Sequence, residues 1–305
     1  MSKGIVLRPG KPPRIVQTGY DAEPPKPAVA GGNLDLGLRN LLRSDSRLRP
    51  GFAEAWVGES PVSESSRLAR YYVGTAKVEI CSGPETIYRI TPREYTLPEA
   101  GSRLLWLARA EFVENSREGR NPAAAGSLRS RCRKEAGEII SSAARSARVS
   151  PGEIEQMGGL DFLTDALLRH TVGLGMLEYL LRDEHVQDIY VDAPADDNPV
   201  HVVIGDAGIE GISGKCTTNI HLSEREVQAL VSRFRFESGR PFSEAMPMLE
   251  TDLEEFGTRV TAVGKPLSPE GVAIALRRHS AEPWTLPKLI ARGSISPTGA
   301  GLLSF

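Results

Sequence analysis

The spacing of apolar residues in the first half of the chain predicts a β-hairpin followed by two helices. The segments YYVGTAKVEIC and TIYRITP alternate apolar and polar residues on either side of the turn SGPE. Alternation with a period of two is typical of half-buried strands, so residues 71–92 are predicted to form the hairpin. Residues 102–114 have apolar positions three and four apart, with Ser102 as a candidate N-cap. Residues 127–148 form a second, basic helical stretch.

The second half of the chain shows helices that are each followed by two strands. Ser223 and Glu226 form a candidate capping box for the clearest helix, which ends at Gly239. Val227, Leu230, Val231 and Phe234 line one face of this helix. The order helix, two strands, helix, two strands predicts a second α+β domain. The other elements are predicted helices at 159–173 and 175–185 and predicted strands at 186–193, 200–206, 256–264 and 271–280.

Changes in composition divide the chain into four segments. Residues 1–50 are rich in Pro, Gly and basic side chains, so we expect a flexible basic leader with one helical pattern at 34–44. Residues 51–150 are predicted to form an N-terminal α+β domain, and 160–282 a second α+β domain with a PAS-like order of elements. Residues 283–305 are interpreted as a linker and the start of a further domain that is cut off. The predicted fold class is α+β.

Composition excludes several classes of protein. The 305 residues are 40% hydrophobic and 25% charged, with a formal net charge of −2, which is ordinary for a globular protein. No apolar run approaches the length of a membrane span, and the N-terminus lacks the apolar core of a secretory signal. Cysteines at 81, 132 and 216 are far apart, as in proteins of reducing compartments. We therefore expect a cytoplasmic protein without membrane insertion, and the near-neutral charge argues against a dedicated nucleic-acid partner.

Charge is distributed unevenly along this near-neutral chain. Residues 1–50 hold nine Lys or Arg against four Asp or Glu, and residues 101–150 hold ten against five. Residues 151–200 hold two against eleven. Such asymmetry suits docking between domains or onto a charged partner, although ordinary solvated faces are the simpler interpretation.

No complete catalytic motif is present in the sequence. A phosphate-binding loop needs GxxxxGK[ST], and the nearest segment, GIEGISGKC at 208–216, has wrong glycine spacing and Cys216 at the Ser/Thr position. The motifs HExxH, GxSxG and CxxC are missing, and the five histidines show no metal-ligand spacing. We therefore predict no catalytic residue and no metal ligand, and interpret 208–216 as a glycine-rich hairpin loop.

Arginines on two neighbouring predicted strands are the candidate binding residues. Arg259 lies between apolar neighbours in GTRV, and Arg277 and Arg278 end the strand AIALRR. If the two strands pair, the guanidinium groups gather at one edge of a sheet, where their planar forks suit phosphate oxygens. Composition alone favours the alternative that they pair with carboxylates such as Glu250, Asp252 or Glu254.

The second domain resembles the N-terminal half of the archaeal type II/IV secretion ATPases, the GspE-like relatives of pilus and archaellum assembly motors. The resemblance covers about 165–305, with a weaker likeness from Tyr71 to about Glu114. It lies in the segments LEYLLRDEHVQDIYVDAP, SGRPFSEAMPMLETDLEEFGTRVTAV, SPEGVAIALRRHS and PWTLPKLIARGSISP. Arg259 matches the arginine of the family's "SRV" strand, and Arg277 and Arg278 match its "IRK" pair.

The resemblance implies an ATPase whose RecA-like motor domain is not in this chain. In the family, ATP and Mg²⁺ are bound by the complete protein, which is a homo-hexamer on an inner-membrane platform protein, cytoplasmic and peripheral to the membrane. The three arginines are then implied to contact the nucleotide phosphates. Without Walker A and Walker B elements, this chain alone is expected to bind no nucleotide and to be inactive. It departs from the family at Glu254–Gly257 and at Asp192–Pro194, which replace "DG" and "NGP".

Three hypotheses follow from these observations. The first is the nucleotide-clamping, N-terminal portion of a truncated or split secretion ATPase. The second is a stand-alone, non-enzymatic interaction module that docks on a membrane assembly platform. The third is a sensor-like α+β domain with a small-molecule pocket.

Overall fold

One mixed sheet organises the part of the chain that the structure describes. In this computed structural model that part comprises residues 47–58, 66–117, 128–205, 212, 214–279 and 285–303. The strands are β1 (Arg47–Leu48), β2 (Trp56–Gly58), β3 (Arg67–Val73), β4 (Ala76–Cys81), β5 (Ile87–Pro92), β6 (Val186–Val191), β7 (Pro199–Ile204), β8 (Gly214–His221), β9 (Met248–Leu253), β10 (Thr258–Val263) and β11 (Ala273–Arg278). The helices are α1 (Glu99–Arg117), α2 (Leu128–Ala147), α3 (Pro151–Met157), α4 (Gly159–Arg169), α5 (Leu177–Arg182), α6 (Glu224–Ser238), α7 (Leu286–Ala291) and α8 (Pro297–Leu303).

The strand order is β3-β4-β5-β8-β7-β6-β11-β10-β9, with β2 pairing to β8 and β1 to β2. All these neighbours are antiparallel except β5 and β8, which run parallel. The predicted α+β class is confirmed.

The predicted hairpin at 71–92 is a meander of three strands. Its first strand starts at Arg67 and ends at Val73, and the next begins at Ala76. Gly74 adopts φ 56° in the turn between them, a left-handed conformation that glycine reaches without steric cost. Apolar and polar residues continue to alternate through this tight turn, so the pattern alone did not reveal it.

The predicted break at Pro151 is the start of a short helix. Ser150 accepts a hydrogen bond from the Glu153 backbone N–H, and the Glu153 carboxylate accepts one from the Ser150 backbone N–H at 2.7 Å. Proline at the first helical position loses no hydrogen bond, because that N–H has no partner within the helix. The helices predicted at 102–114 and 127–148 are present as α1 and α2, but α1 begins at Glu99, so the prediction of Ser102 as its N-cap is wrong.

The second half of the chain contains two strands that the sequence interpretation lacked. Three strands precede α6 and three follow it, so the PAS-like order of two and two is corrected. In β8 the buried positions include Cys216 and Thr218, which weakens the apolar signal of the strand. In β9 Leu249 and Leu253 are buried but stand four residues apart, a spacing that does not suggest a strand.

The strands of the two segments predicted as separate domains belong to the same sheet. They meet where β5 pairs with β8, with Ile87 opposite Thr217 and Tyr88 opposite Thr218. Buried side chains of both segments also form one continuous cluster. The division at 51–150 and 160–282 stays a prediction. Of the leader predicted at 1–50, residues 1–46, with the helix at 34–44, lie outside the described residues, and Arg47–Leu48 form β1.

One face of the sheet carries the core and the other is solvated. Along β10, Val260 and Ala262 are buried, whereas Arg259 between the strand's buried positions is exposed. The helices contribute to the same core, and α6 buries the four residues predicted for its apolar face, which are Val227, Leu230, Val231 and Phe234. Such alternation is expected of a sheet covered on one side. Among the described residues, no helix is long and apolar enough to cross a membrane.

Candidate functional site

Two of the three predicted arginines lie side by side on the solvated face of the sheet. Arg259 of β10 and Arg277 of β11 are directly opposite each other in the antiparallel register. Residues in this relation point to the same face, so the two guanidinium groups belong to one surface. Their side chains are 59% and 73% exposed.

Each of these arginines has a carboxylate neighbour on its outer side. Asp252 of β9 is opposite Arg259, and Asp188 of β6 is opposite Arg277, which gives a row of four charges across four strands. The Nε–Oδ1 distances are 3.9 Å for Arg259–Asp252 and 3.6 Å for Arg277–Asp188. These distances exceed those of good hydrogen bonds. The Arg259–Asp252 pair is exposed on both sides, and such pairs contribute only about 0–1 kcal/mol, so Arg259 is available to a ligand at little cost. Arg277 is itself exposed, but its neighbour Asp188 is buried, with a side chain only 12% exposed.

Arg278 does not join this pair. It is half-buried and its Nη1 donates hydrogen bonds to the backbone carbonyls of Asp183 and Val186, the second at 3.3 Å. Successive residues of a strand point to opposite faces, so the side chains of Arg277 and Arg278 lie on opposite faces of the sheet. Arg278 links β11 to the segment between α5 and β6.

The turn before β10 sets the position of Arg259. A short 3₁₀ turn, Glu254–Phe256, is followed by Gly257 with φ 53°. The Gly257 carbonyl accepts a hydrogen bond from the His279 backbone N–H at 2.8 Å, just beyond the end of β11. This contact closes the ladder beside the arginine pair. The His279 Nε2 also lies 3.6 Å from Asp252 Oδ1, so Asp252 is shared between His279 and Arg259.

A buried cluster of charged and polar side chains lies on the core side of the sheet, where the sequence predicted none. Glu94 has no solvent exposure, and its carboxylate accepts hydrogen bonds from Arg169 Nη1 at 2.8 Å and from Tyr179 OH at 2.8 Å. His170 Nε2 is 3.4 Å away. Burial raises the pKa of Glu94, but the His170 contact and the Arg169 charge outweigh it and lower the pKa to about 2. The cluster holds its charge without solvent access, which suits a structural role.

A second buried carboxylate joins the first strands to the later half of the chain. Asp183 accepts hydrogen bonds from Tyr71 OH at 2.7 Å and Tyr88 OH at 2.6 Å. Burial, followed by the Asp183 charge, raises the pKa of both phenols, so they remain donors. The Asp183 backbone carbonyl also accepts a hydrogen bond from Arg278, so this one residue connects β3, β5 and β11.

Glu226 is an acid in an unfavourable environment at the start of α6. Ser223 caps this helix by accepting from the Glu226 N–H at 3.2 Å, which confirms that half of the predicted capping box. The Glu226 Oε2 atom is buried and has no hydrogen-bond partner within the described residues. Burial and then the nearby Glu54 charge raise the pKa of Glu226 to about 8. A Cβ atom at Gly175 would lie 2.5 Å from Glu226 Oε1, so glycine makes room for this carboxyl.

The described part of the chain has an open cleft but no metal-ligand cluster. No group of three or more His, Cys, Asp or Glu residues there has the arrangement to hold a metal ion. An open cleft of about 400 Å³ lies between α2 and α4 and is lined by charged and polar residues together with Gly137 and Leu160. Arg133 at this cleft is held by Asp165 and, at 3.1 Å, by Asp161. The strongest candidate site therefore remains the arginine pair.

Comparisons with known proteins give distant similarities. No model of a protein family matches the chain. The Methanocaldococcus jannaschii protein named "Uncharacterized protein MJ0900" is 29% identical over 139 residues, which are 45% of this chain and 23% of that protein. "Uncharacterized protein MJ0781" of the same organism is 28% identical over 130 residues, 43% of this chain and 17% of that protein. The chain thus spans less than a quarter of the length of these relatives.

One similar solved structure is the VirB11 ATPase from the type IV secretion system of Brucella suis, in complex with sulphate. The TM-score is 0.31 at 19% identity, over 42% of this chain and 40% of that one. A TM-score this low carries no argument about the fold or the function of the present chain.

Proposed function

We propose that this chain is the N-terminal, nucleotide-clamping portion of a hexameric ATPase that powers type II/IV secretion or the assembly of pili or archaella. Arg259 and Arg277 contact nucleotide phosphates that a motor domain presents. The motor domain binds ATP and Mg²⁺, and this chain alone binds neither. The complete protein acts in the cytoplasm as a homo-hexamer, peripheral to the membrane and against an inner-membrane platform protein.

The pairing of Arg259 with Arg277 on the solvated face is the observation that carries this proposal. Two adjacent guanidinium forks match the oxygens of a phosphate chain. An arginine held by a buried carboxylate would lose about 3–5 kcal/mol on leaving it. The contact to Asp252 is long and exposed on both sides, so Arg259 releases it easily. Arg277 is 73% exposed but lies 3.6 Å from the buried Asp188, a contact that a phosphate replaces at a higher cost. Arg278 supports the strand through backbone carbonyls and does not contact the nucleotide.

The proposal is tested by substituting the arginines in the complete protein. Arg259→Ala and Arg277→Ala should each lower ATP turnover on the order of a thousandfold, as expected for arginines that stabilise phosphoryl transfer. Lysine should rescue only in part, because it keeps the charge and loses the fork. Arg235→Ala is a matched control, since Arg235 is exposed on α6, whose buried side packs into the core. Normal turnover in both clamp variants would refute the proposal.

The coding sequence beyond Phe305 offers an independent test. A GxxxxGK[ST] motif within about 50 residues is expected if a motor domain follows. A stop codon there in the natural gene would favour the interaction module instead.

A further inference from the structure

Four basic side chains gather around one carboxylate on the solvated face of β3, β4 and β5. Glu79 of β4 has Arg67 Nε at 3.1 Å, Arg70 Nε at 3.6 Å and Lys77 Nζ at 3.0 Å. Arg89 of β5 is directly opposite Glu79, as Arg70 is on the other side. We call Arg67, Arg70, Lys77 and Arg89 the basic cluster. It lies on the far strands of the sheet from Arg259 and Arg277.

The basic cluster has more positive charge than Glu79 compensates. Burial raises the pKa of Glu79, but the contacts with Lys77 and then the charges of Arg67 and Arg70 outweigh it and keep the pKa low, so the group is ionised. The four cations and this anion leave a net charge of +3. Like charges in neighbouring positions on one face of a sheet are destabilising. The fold thus maintains a positive potential there at a cost in stability.

One donor of the cluster is left without an acceptor. The Nε atom of Arg89 is buried, and within the described residues it has no hydrogen-bond partner. A buried charged donor without a partner is costly, so a bound acceptor is the arrangement that its surroundings favour.

We propose that the basic cluster binds a phosphoryl group, supplied by a small phosphorylated molecule or by a lipid headgroup. A phosphate dianion offsets a charge of +3 better than a single carboxylate does, and arginine forks match its oxygens. The site remains open to a ligand, because the side chains of Arg70 and Lys77 are 51% and 31% exposed. This site is separate from the proposed nucleotide clamp and does not depend on it.

Inorganic phosphate is the first probe. Titration of the chain by calorimetry, at constant ionic strength and with chloride as the reference ion, should show saturable binding. Cosedimentation with phosphatidylcholine vesicles that contain phosphatidic acid, compared with pure phosphatidylcholine vesicles, distinguishes the source. Binding of free phosphate alone identifies a soluble ligand, and binding of the acidic vesicles identifies a headgroup.

Variants then locate the site. Arg89→Gln and Arg70→Gln should each raise the dissociation constant roughly tenfold, the loss of one charge-assisted contact. Glu79→Gln removes the competing carboxylate and should lower the dissociation constant by about threefold or more. A gain of affinity does not result from misfolding, and Arg70 is exposed enough for its variant to fold. Arg103→Gln on α1 is the surface control, and Arg259→Gln separates this site from the clamp.

The proposal is overturned if neither phosphate nor acidic vesicles bind above the chloride and phosphatidylcholine references. It is equally overturned if Arg70→Gln and Glu79→Gln bind as the unmodified chain does, or if Arg259→Gln abolishes the binding, since the anion then lies elsewhere.

Discussion

Replacing Glu94 by glutamine removes a fully buried negative charge and keeps the size of the side chain. The folded protein holds the Glu94 pKa at about 2, against an ordinary value of 4.5. A pKa lowered this far corresponds to roughly 3 kcal/mol of stability at neutral pH. The variant also leaves Glu178, whose Oε2 is 3.8 Å from Arg169 Nε, as the one carboxylate paired with Arg169 among the described residues. We therefore expect Glu94→Gln to lower the free energy of unfolding by about 3–5 kcal/mol at pH 7.

The pH dependence of this loss separates the lost charge from a packing defect. Because the folded-state pKa is depressed, the stabilisation is present above pH 4.5 and disappears as the pH falls towards 2. Urea unfolding curves recorded from pH 7 downwards should show the two proteins converging below pH 4.5. Glu138→Gln is the control, because its exposed pair with Lys134 at 3.9 Å should change stability by less than about 0.5 kcal/mol. An equal loss of unfolding free energy for Glu94→Gln at every pH would refute the electrostatic explanation. No loss at pH 7 would show that the Glu94 charge does not stabilise the fold.

Three further predictions concern other residues. The Glu226 pKa is raised to about 8, so this group stabilises the fold fully below pH 4.5 and loses that contribution as the pH rises through 8. In thermal melts, the melting temperature of Glu226→Gln should therefore rise relative to that of the unmodified chain between pH 6 and pH 9. A difference in melting temperature that stays constant with pH would contradict this. Gly175→Ala should cost about 1–3 kcal/mol in urea unfolding, since φ is 58° and the added Cβ meets Glu226, whereas a neutral result would show that the loop relaxes freely. The purified chain should show no ATP hydrolysis above background in a phosphate-release assay, and genuine turnover would direct attention to 208–217 as a phosphate-binding loop.

Some of the candidate site was accessible from local sequence. The alternation around Arg259 predicts an exposed side chain on a strand, and the two-residue period already separates Arg277 from Arg278. The alternation does not determine the register, that is, which residues of neighbouring strands stand opposite each other. Arg259 stands opposite Arg277, and Asp188 opposite Arg277, because β6, β10 and β11 are neighbours in the sheet. Asp188 is 70 or more positions away from both arginines in the chain, so its pairing was not predictable from sequence spacing.

The buried cluster around Glu94, in contrast, was not predictable from local sequence. Glu94 occurs in the segment TPREYT, which has the composition of a surface loop, and nothing near it in sequence indicates burial. Its donors, Arg169 and Tyr179, are supplied by α4 and α5, which are 75 and 85 residues further along the chain. A charged group is buried only where partners are positioned to replace water, and that positioning is a property of the packed structure.

The sequence by itself determined the local features. Ser223 and Gly239 mark the ends of α6, its apolar face follows from the helical period, and the alternation in β10 and β11 indicates which side is solvated. Each of these depends on contacts between residues a few positions apart, where backbone geometry is fixed by short-range sterics and hydrogen bonds. Only the tertiary structure decided that β5 pairs with β8, that the arginine pair faces solvent between two carboxylates, and that Glu94 is buried. Those outcomes depend on which distant segments exclude water together, a competition among many contacts that no short stretch of sequence encodes.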